Sequence, residues 1–170
     1  MNTIAFRRND IVVDDNLPPN EREVLKTIDI YIDGRNLIDI VRDYEIRFKG
    51  SDGEPNAIAG AYAGLPDGEL LESLVGCGTQ HEPRRAGSQR IVLGCDCGIS
   101  GCWPLNCDIQ IGNAQVVWSQ FQNPFRSSDR GEYWDYSDFP TFTFERAQYD
   151  GAIENLRTYT NAILKEQHNA

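Results

Sequence analysis

"QRIVLGC" (89–95), "WPLNCDIQI" (103–111) and "QVVWSQF" (115–121) are three extended runs, kept apart by "DCGISG" (96–101) and "GNA" (112–114). Runs of this length rich in Val, Ile, Leu and aromatics, bounded by glycine-containing turns, predict β-strands, and connections this short permit only antiparallel pairing. A three-stranded antiparallel meander over about 89–122 is therefore the centre of the expected fold.

Other elements attach to that meander on both sides. In "TIDIYID" (27–33) Ile28, Ile30 and Ile32 alternate with Asp29, Tyr31 and Asp33, the period of a strand with one buried face. "DGR" (33–35) is a turn signal, and Leu37, Val41 and Tyr44 beyond it predict a short helix at about 37–45. "TFTF" (141–144) predicts a further strand. In "ERAQYDGAIENLRTYTNAILKEQ" (145–167) Tyr149, Ile153, Leu156, Tyr159 and Ile163 fall on one stripe of a long amphipathic C-terminal helix. Gly151 within it suggests a bend or a close packing contact. The stretch 49–90 is rich in Gly, Pro and polar residues, and only "GELLESLVG" reads as one or two helical turns. The fold class predicted is α+β, an antiparallel sheet packed against that last helix.

At 170 residues, with 40% hydrophobic and 25% charged residues, the chain has the size and composition of one globular domain. Acids, Asn16 and the Pro18-Pro19 pair in "DDNLPPNERE" suggest a partly mobile segment over 1–23, followed by a single α+β domain over 24–170. Sixteen basic against twenty-six acidic residues give a net charge of -10, which repels phosphate backbones and anionic lipid, so neither nucleic acid nor a membrane is an expected partner. No run approaches the ~18 apolar residues of a spanning helix, and the first residues lack the pattern of a secretory leader. Five cysteines, an odd number, then suggest free or metal-bound thiols in a reducing cytoplasm.

Four of those cysteines crowd into "LGCDCGISGCWPLNC" (93–107). A structural zinc site needs four thiolates or imidazoles, and the count fits. The intervals of one, four and four residues do not match the usual C-x2-4-C pairs. Cys107 also shares its strand phase with Leu105, Ile109 and Ile111, which makes it a core residue. Zinc would then need Cys95, Cys97 and Cys102, with Cys77 or His81 of "CGTQH" coming to meet them. The plain alternative is a hairpin turn with reduced thiols and no cofactor. Cys97 and Cys102 flanking "GISG" are the candidates for thiol redox catalysis, but Trp103-Pro104 starts a strand where an activating helix would be required.

"GCDCGISGCWPL", with "VVWSQFQNPFR" and "YWDYSDFPTFTFERAQY" downstream, resembles a family of bacterial proteins of similar size with GCxCGxxGCWPL-like, WxxFxxPxR-like and WDYSxxxxFxFxRxQY-like segments. "IDIYIDGRNLIDIVRDYE" is similar to that family's hairpin-and-helix beginning. The resemblance spans most of 27–156 and implies no established activity; the oxidoreductase label some members carry finds no cofactor motif here. Cys95, Cys97 and Cys102 match the family segment, and Cys107 stands where the pattern calls for no cysteine.

"GCGTQH" lacks the third glycine of GxGxxG, "QHEPRR" departs from HExxH, and neither GxxxxGK[ST] nor GxSxG occurs. The richest remaining stretch, 118–140, sets seven aromatics among Arg126, Arg130, Asp129, Glu132, Asp135 and Asp138. Aromatics with an arginine suit a binding surface, with Arg126, Trp134, Asp135 and Tyr136 its candidate residues. The competing reading has Trp134, Tyr136 and Phe139 fastening a loop onto the sheet, with Arg126 paired to Asp135. Asp135 and Asp138 as a carboxylate pair would need one shared cleft, which spacing cannot place. The expectation is a cytoplasmic protein that binds an unknown protein or small molecule rather than an enzyme; the alternative is a redox enzyme using Cys97 and Cys102.

Overall fold

A computed structural model describes residues 1–13, 18, 20–50, 53–54, 56–75, 89–129 and 132–168, with side chains as far as Thr160. The predicted meander is present as β5 (Gln89–Cys95), β6 (Leu105–Ile111) and β7 (Gln115–Gln122), all antiparallel. Two flanking strands, β4 (Tyr62–Ala63) and β8 (Phe142–Glu145), widen it to five strands in the order β4-β5-β6-β7-β8.

A second sheet precedes it in the chain. β1 (Ile4–Val13) pairs antiparallel with β2 (Glu23–Ile32), and the short β3 (Arg35–Asn36) returns beside β2. Asp33 and Gly34 connect β2 to β3 with φ of 51° and 80°, the pair of left-handed residues that a two-residue hairpin loop requires. Single bridges join the sheets at both ends, Asn2 to Phe144 and Ile28 to Leu65. The five-stranded sheet thus curls toward the hairpin, and one core fills the space between them.

Within the segment expected to be partly mobile over 1–23, Ile4–Val13 forms a ten-residue strand. Its alternation is hidden in sequence by the polar run Arg7–Asp10, which is exposed on both faces although the paired Thr27, Ile28 and Asp29 of β2 are buried. Only Ile4 and Phe6 reach the interior. The side-chain amide of Gln148 closes the outer edge of β1 there, accepting from Ile4 N at 3.2 Å and donating to Ile4 O at 2.7 Å.

α1 (Leu37–Glu45) follows at the expected place, capped by Asn36, whose side chain accepts from Ile38 N at 2.9 Å. α2 (Asp67–Val75) buries Leu70 and Leu74. α3 (Arg146–His168) packs against the five-stranded sheet through Tyr149, Ile153 and Leu156, the first three positions of the predicted stripe. The Tyr149 ring meets those of Trp118 and Phe144 at 6.3 and 5.8 Å. Tyr159, the fourth position, is instead 39% exposed, since the helix has passed the sheet by then. The side chain of Ile163 lies outside the described residues. Gly151 makes no close packing contact, as a Cβ built there meets nothing within 4 Å.

β2 departs from simple alternation. Thr27 and Asp29 are buried along with Ile28 and Ile30, because the chain around Gly64 passes directly over them. A Cβ on Gly64 would lie 2.3 Å from the Ile28 carbonyl oxygen, so only glycine permits that crossing.

Candidate metal centre and ligand groove

β5 ends at Cys95, and two tight turns reverse the chain before β6. Gly98 N donates to Cys95 O at 3.1 Å, and Cys102 N to Ile99 O at 3.0 Å. Gly98 holds φ of 88° against the tip of the β1–β2 hairpin, where an added Cβ would come within 3.0 Å of Val13 Cγ2. This folding gathers Cys95, Cys97 and Cys102 so that their sulfurs all lie within 4.8 Å of one another.

The three thiols have different electrostatics. Cys95 is buried, and desolvation pushes its pKa up to about 12. Cys97 is exposed and held below the usual thiol range, because its sulfur accepts a hydrogen bond from the Cys95 thiol and one from the backbone N–H of Ile99. Cys102 is exposed as well. All three are free, and thiolates grouped this closely are a donor set for a soft or borderline cation such as zinc, whose tetrahedral edges between sulfurs are about 3.8 Å. The other two sequence candidates, Cys77 and His81, lie outside the described residues. Cys107 is fully buried, as its phase predicts, and its thiol pKa is raised by burial. Ile111, placed on the same face by phase, is 37% exposed at the far end of β6, beside the turn at Gly112.

Beyond Cys102 the chain leads through Pro104 into β6, so no helix begins at Cys102. The residue next to Cys102 is Trp103. Its ring stacks on Phe125 at 6.0 Å and meets Trp134 edge-on at 6.1 Å. The Arg126 guanidinium lies 4.9 Å from the Trp103 ring and 5.1 Å from Trp134, a cation shared between two indoles.

Arg126, Trp134, Asp135 and Tyr136 all border one open groove of about 440 Å³, beside the end of β7. Arg126 does not pair with Asp135 as the sequence suggested. Its ion pair is to Glu132 at 3.2 Å, while Asp135 turns away to accept from Ser137 N at 2.9 Å and from the Tyr133 hydroxyl at 3.4 Å. The Ser137 contacts, and after them the Tyr133 hydroxyl, hold Asp135 below the usual carboxylate range. Among the described residues, Arg126 Nε is buried without a hydrogen-bond partner. Trp134, Tyr136 and Phe139 are buried, fastening the 132–140 loop as the competing reading expected: Phe139 packs on Phe121 at 4.8 Å, and Trp134 stacks on Phe48 at 5.5 Å.

A buried polar cluster under this loop escaped the sequence reading. Glu45, fully buried at the end of α1, accepts from Gly60 N at 2.7 Å, from the Tyr62 hydroxyl at 2.7 Å and from the Tyr136 hydroxyl. Asn123 Nδ2 donates to the Tyr62 hydroxyl at 3.0 Å. Burial raises the Glu45 pKa despite these three donors and the nearby Arg126. A signal was present: Glu45 continues the face of Leu37 and Val41 at i+8 and i+4, a carboxylate where the pattern calls for an apolar residue.

Compared with protein-family models, with curated proteins and with solved structures, the chain finds no match.

Proposed function

We propose that this protein works by binding a partner or small ligand, with the groove at Arg126, Trp134, Asp135 and Tyr136 as its contact face and a zinc ion in the β5–β6 turn. The convergence of the Cys95, Cys97 and Cys102 sulfurs within 4.8 Å supports the metal most directly. The metal's role is structural: it fixes the turn whose next residue, Trp103, forms the floor beneath Arg126. The fourth position falls to water or to Cys77 or His81. A reducing compartment, the cytoplasm, suits thiols kept available for metal. Among the described residues no helix is long and apolar enough to cross a membrane.

Elemental analysis of the purified protein tests the zinc, together with reconstitution with cobalt, whose thiolate charge-transfer bands report sulfur ligation. Stoichiometric metal is expected in the wild type and in Cys107→Ser, with loss in Cys97→Ser and Cys102→Ser. Cys77→Ser and His81→Ala identify the fourth ligand by their cobalt spectra. Absence of bound metal both as purified and after reconstitution would falsify this reading.

A thiol redox role for Cys97 and Cys102 is the second reading, favoured by the lowered pKa and exposure of Cys97. Mass spectrometry after mild oxidation should then find a Cys97–Cys102 disulfide in the metal-free protein. Failure of that cross-link to form removes the redox role.

A further inference from the structure

The groove has a wall that regular strand geometry alone would not produce. Between Ser119, paired with Asp108, and Gln122, paired with Asn106, β7 carries one residue more than β6, and the register shifts. Gln120 sits in this bulge at φ 52°, a left-handed conformation that a non-glycine residue enters only when its surroundings enforce it. Bulges re-aim side chains and recur beside functional sites. Here Gln89 reaches over from β5, donating its amide to the Gln120 carbonyl at 3.1 Å and accepting from Gln122 Nε2. Both Gln89 and Gln120 border the groove.

The charges of the groove are already engaged. Among the described residues, Arg126 and Asp135 are the only charged ones lining it; Arg126 is paired with Glu132, and Asp135 with Ser137 and Tyr133. The side chains of Ser119, Gln120 and Thr141, by contrast, are committed to no hydrogen-bond partner among the described residues. Tyr133, 53% exposed, adds a flat apolar face at the rim. An extended peptide finds no template, since the bulge breaks the extended backbone and Gln89 occupies the Gln120 carbonyl. Neutral amides and hydroxyls beside an exposed ring match a ligand that is itself neutral, rich in hydroxyls and flat on one side.

We infer that this groove binds a neutral oligosaccharide, with Gln120 and Ser119 hydrogen-bonding its hydroxyls and Tyr133 lying against a sugar ring. The assignment rests on the groove being the protein's binding face. Two-dimensional amide NMR of the full chain tests it, titrating cellotriose, maltotriose and chitotriose to ~10 mM, a range that reveals even weak complexes. Acetyl-triglycine amide serves as the neutral peptide comparator.

Saturable shifts are expected in the side-chain amides of Gln89, Gln120 and Gln122 with at least one saccharide and not with the peptide. Gln120→Gly removes the amide while suiting the left-handed backbone, so it should weaken binding at least tenfold without lowering the melting temperature. Tyr133→Ala should weaken binding similarly. Silence from every saccharide, or an unchanged affinity in Gln120→Gly, overturns the saccharide assignment. Shifts from the peptide alone overturn it while leaving the groove a binding face, which separates the two failures.

Discussion

Glu45→Ala removes the one acceptor on which Gly60 N and the hydroxyls of Tyr62 and Tyr136 converge. A buried donor left without a partner costs about 1–3 kcal/mol. Three such donors would approach the whole stability of an ordinary domain, ~5–15 kcal/mol. Water entering the vacated space re-satisfies some of them, so a loss of about 3 kcal/mol is the expected outcome. Glu45→Gln keeps the volume and one acceptor oxygen, and the expected loss is about half as large. Its pH dependence is the sharper test. Burial raises the Glu45 pKa above its unfolded value, so the folded state favours the protonated acid. The resulting contribution is fully present below the unfolded pKa, ~4.3, and is lost as pH rises through the folded value. Glutamine does not titrate, so the stability of wild type minus that of Glu45→Gln should be lower at about pH 7 than at about pH 4. Urea unfolding monitored by tryptophan fluorescence at both pH values measures the difference. A flat difference, or one that grows with pH, would refute the claim that desolvation outweighs the three hydrogen bonds.

Cys107→Ser should cost about 1–3 kcal/mol by placing a hydroxyl in the apolar interior, as read by thermal unfolding. Gly64→Ala should be among the most damaging single changes, since its Cβ would sit 2.3 Å from the Ile28 carbonyl oxygen. Soluble yield and thermal unfolding check it; a variant within ~1 kcal/mol of wild type would mean that the crossing over β2 is looser than the geometry states. Gly151→Ala should stabilise by about 0.5–1 kcal/mol, because the site is helical and open on all sides, and a lower melting temperature would contradict that.

The parts of the fold that could be read in advance are those where one residue period governs one buried face. Ile28, Ile30 and Ile32 are buried as their alternation implies, and Tyr149, Ile153 and Leu156 as their helical spacing implies. β1 could not be read the same way, because Arg7–Asp10 within it is exposed on both faces and its hydrogen bonds to β2 place no demand on side-chain type. Asp29 and Thr27 are buried by a loop that crosses from more than thirty residues downstream, a tertiary event with no local signature. Among the site residues, strand phase separated Cys107 from the other three cysteines, whereas the partner of Arg126 depended on which way a loop turns. Glu132, the nearer of the two in sequence, takes the ion pair, while the Asx-type turn at Asp135–Ser137 occupies the aspartate.

The turn and the groove are joined through a short chain of contacts. Cys102 is bonded to Trp103, Trp103 stacks with Phe125 and supports Arg126, and Arg126 lies against Trp134. Trp134 in turn packs on Phe48, just past the end of α1, where Tyr44 and Tyr136 stack beside Glu45. The loop over 132–140 is therefore held from two sides, by an aromatic and cationic stack leading to the cysteines and by a buried carboxylate that binds two tyrosines. The two supports differ in chemistry: the cysteine turn is a set of free thiols, and the Glu45 cluster depends on proton concentration. The same sheet can thus carry a groove whose geometry is set by residues outside its strands.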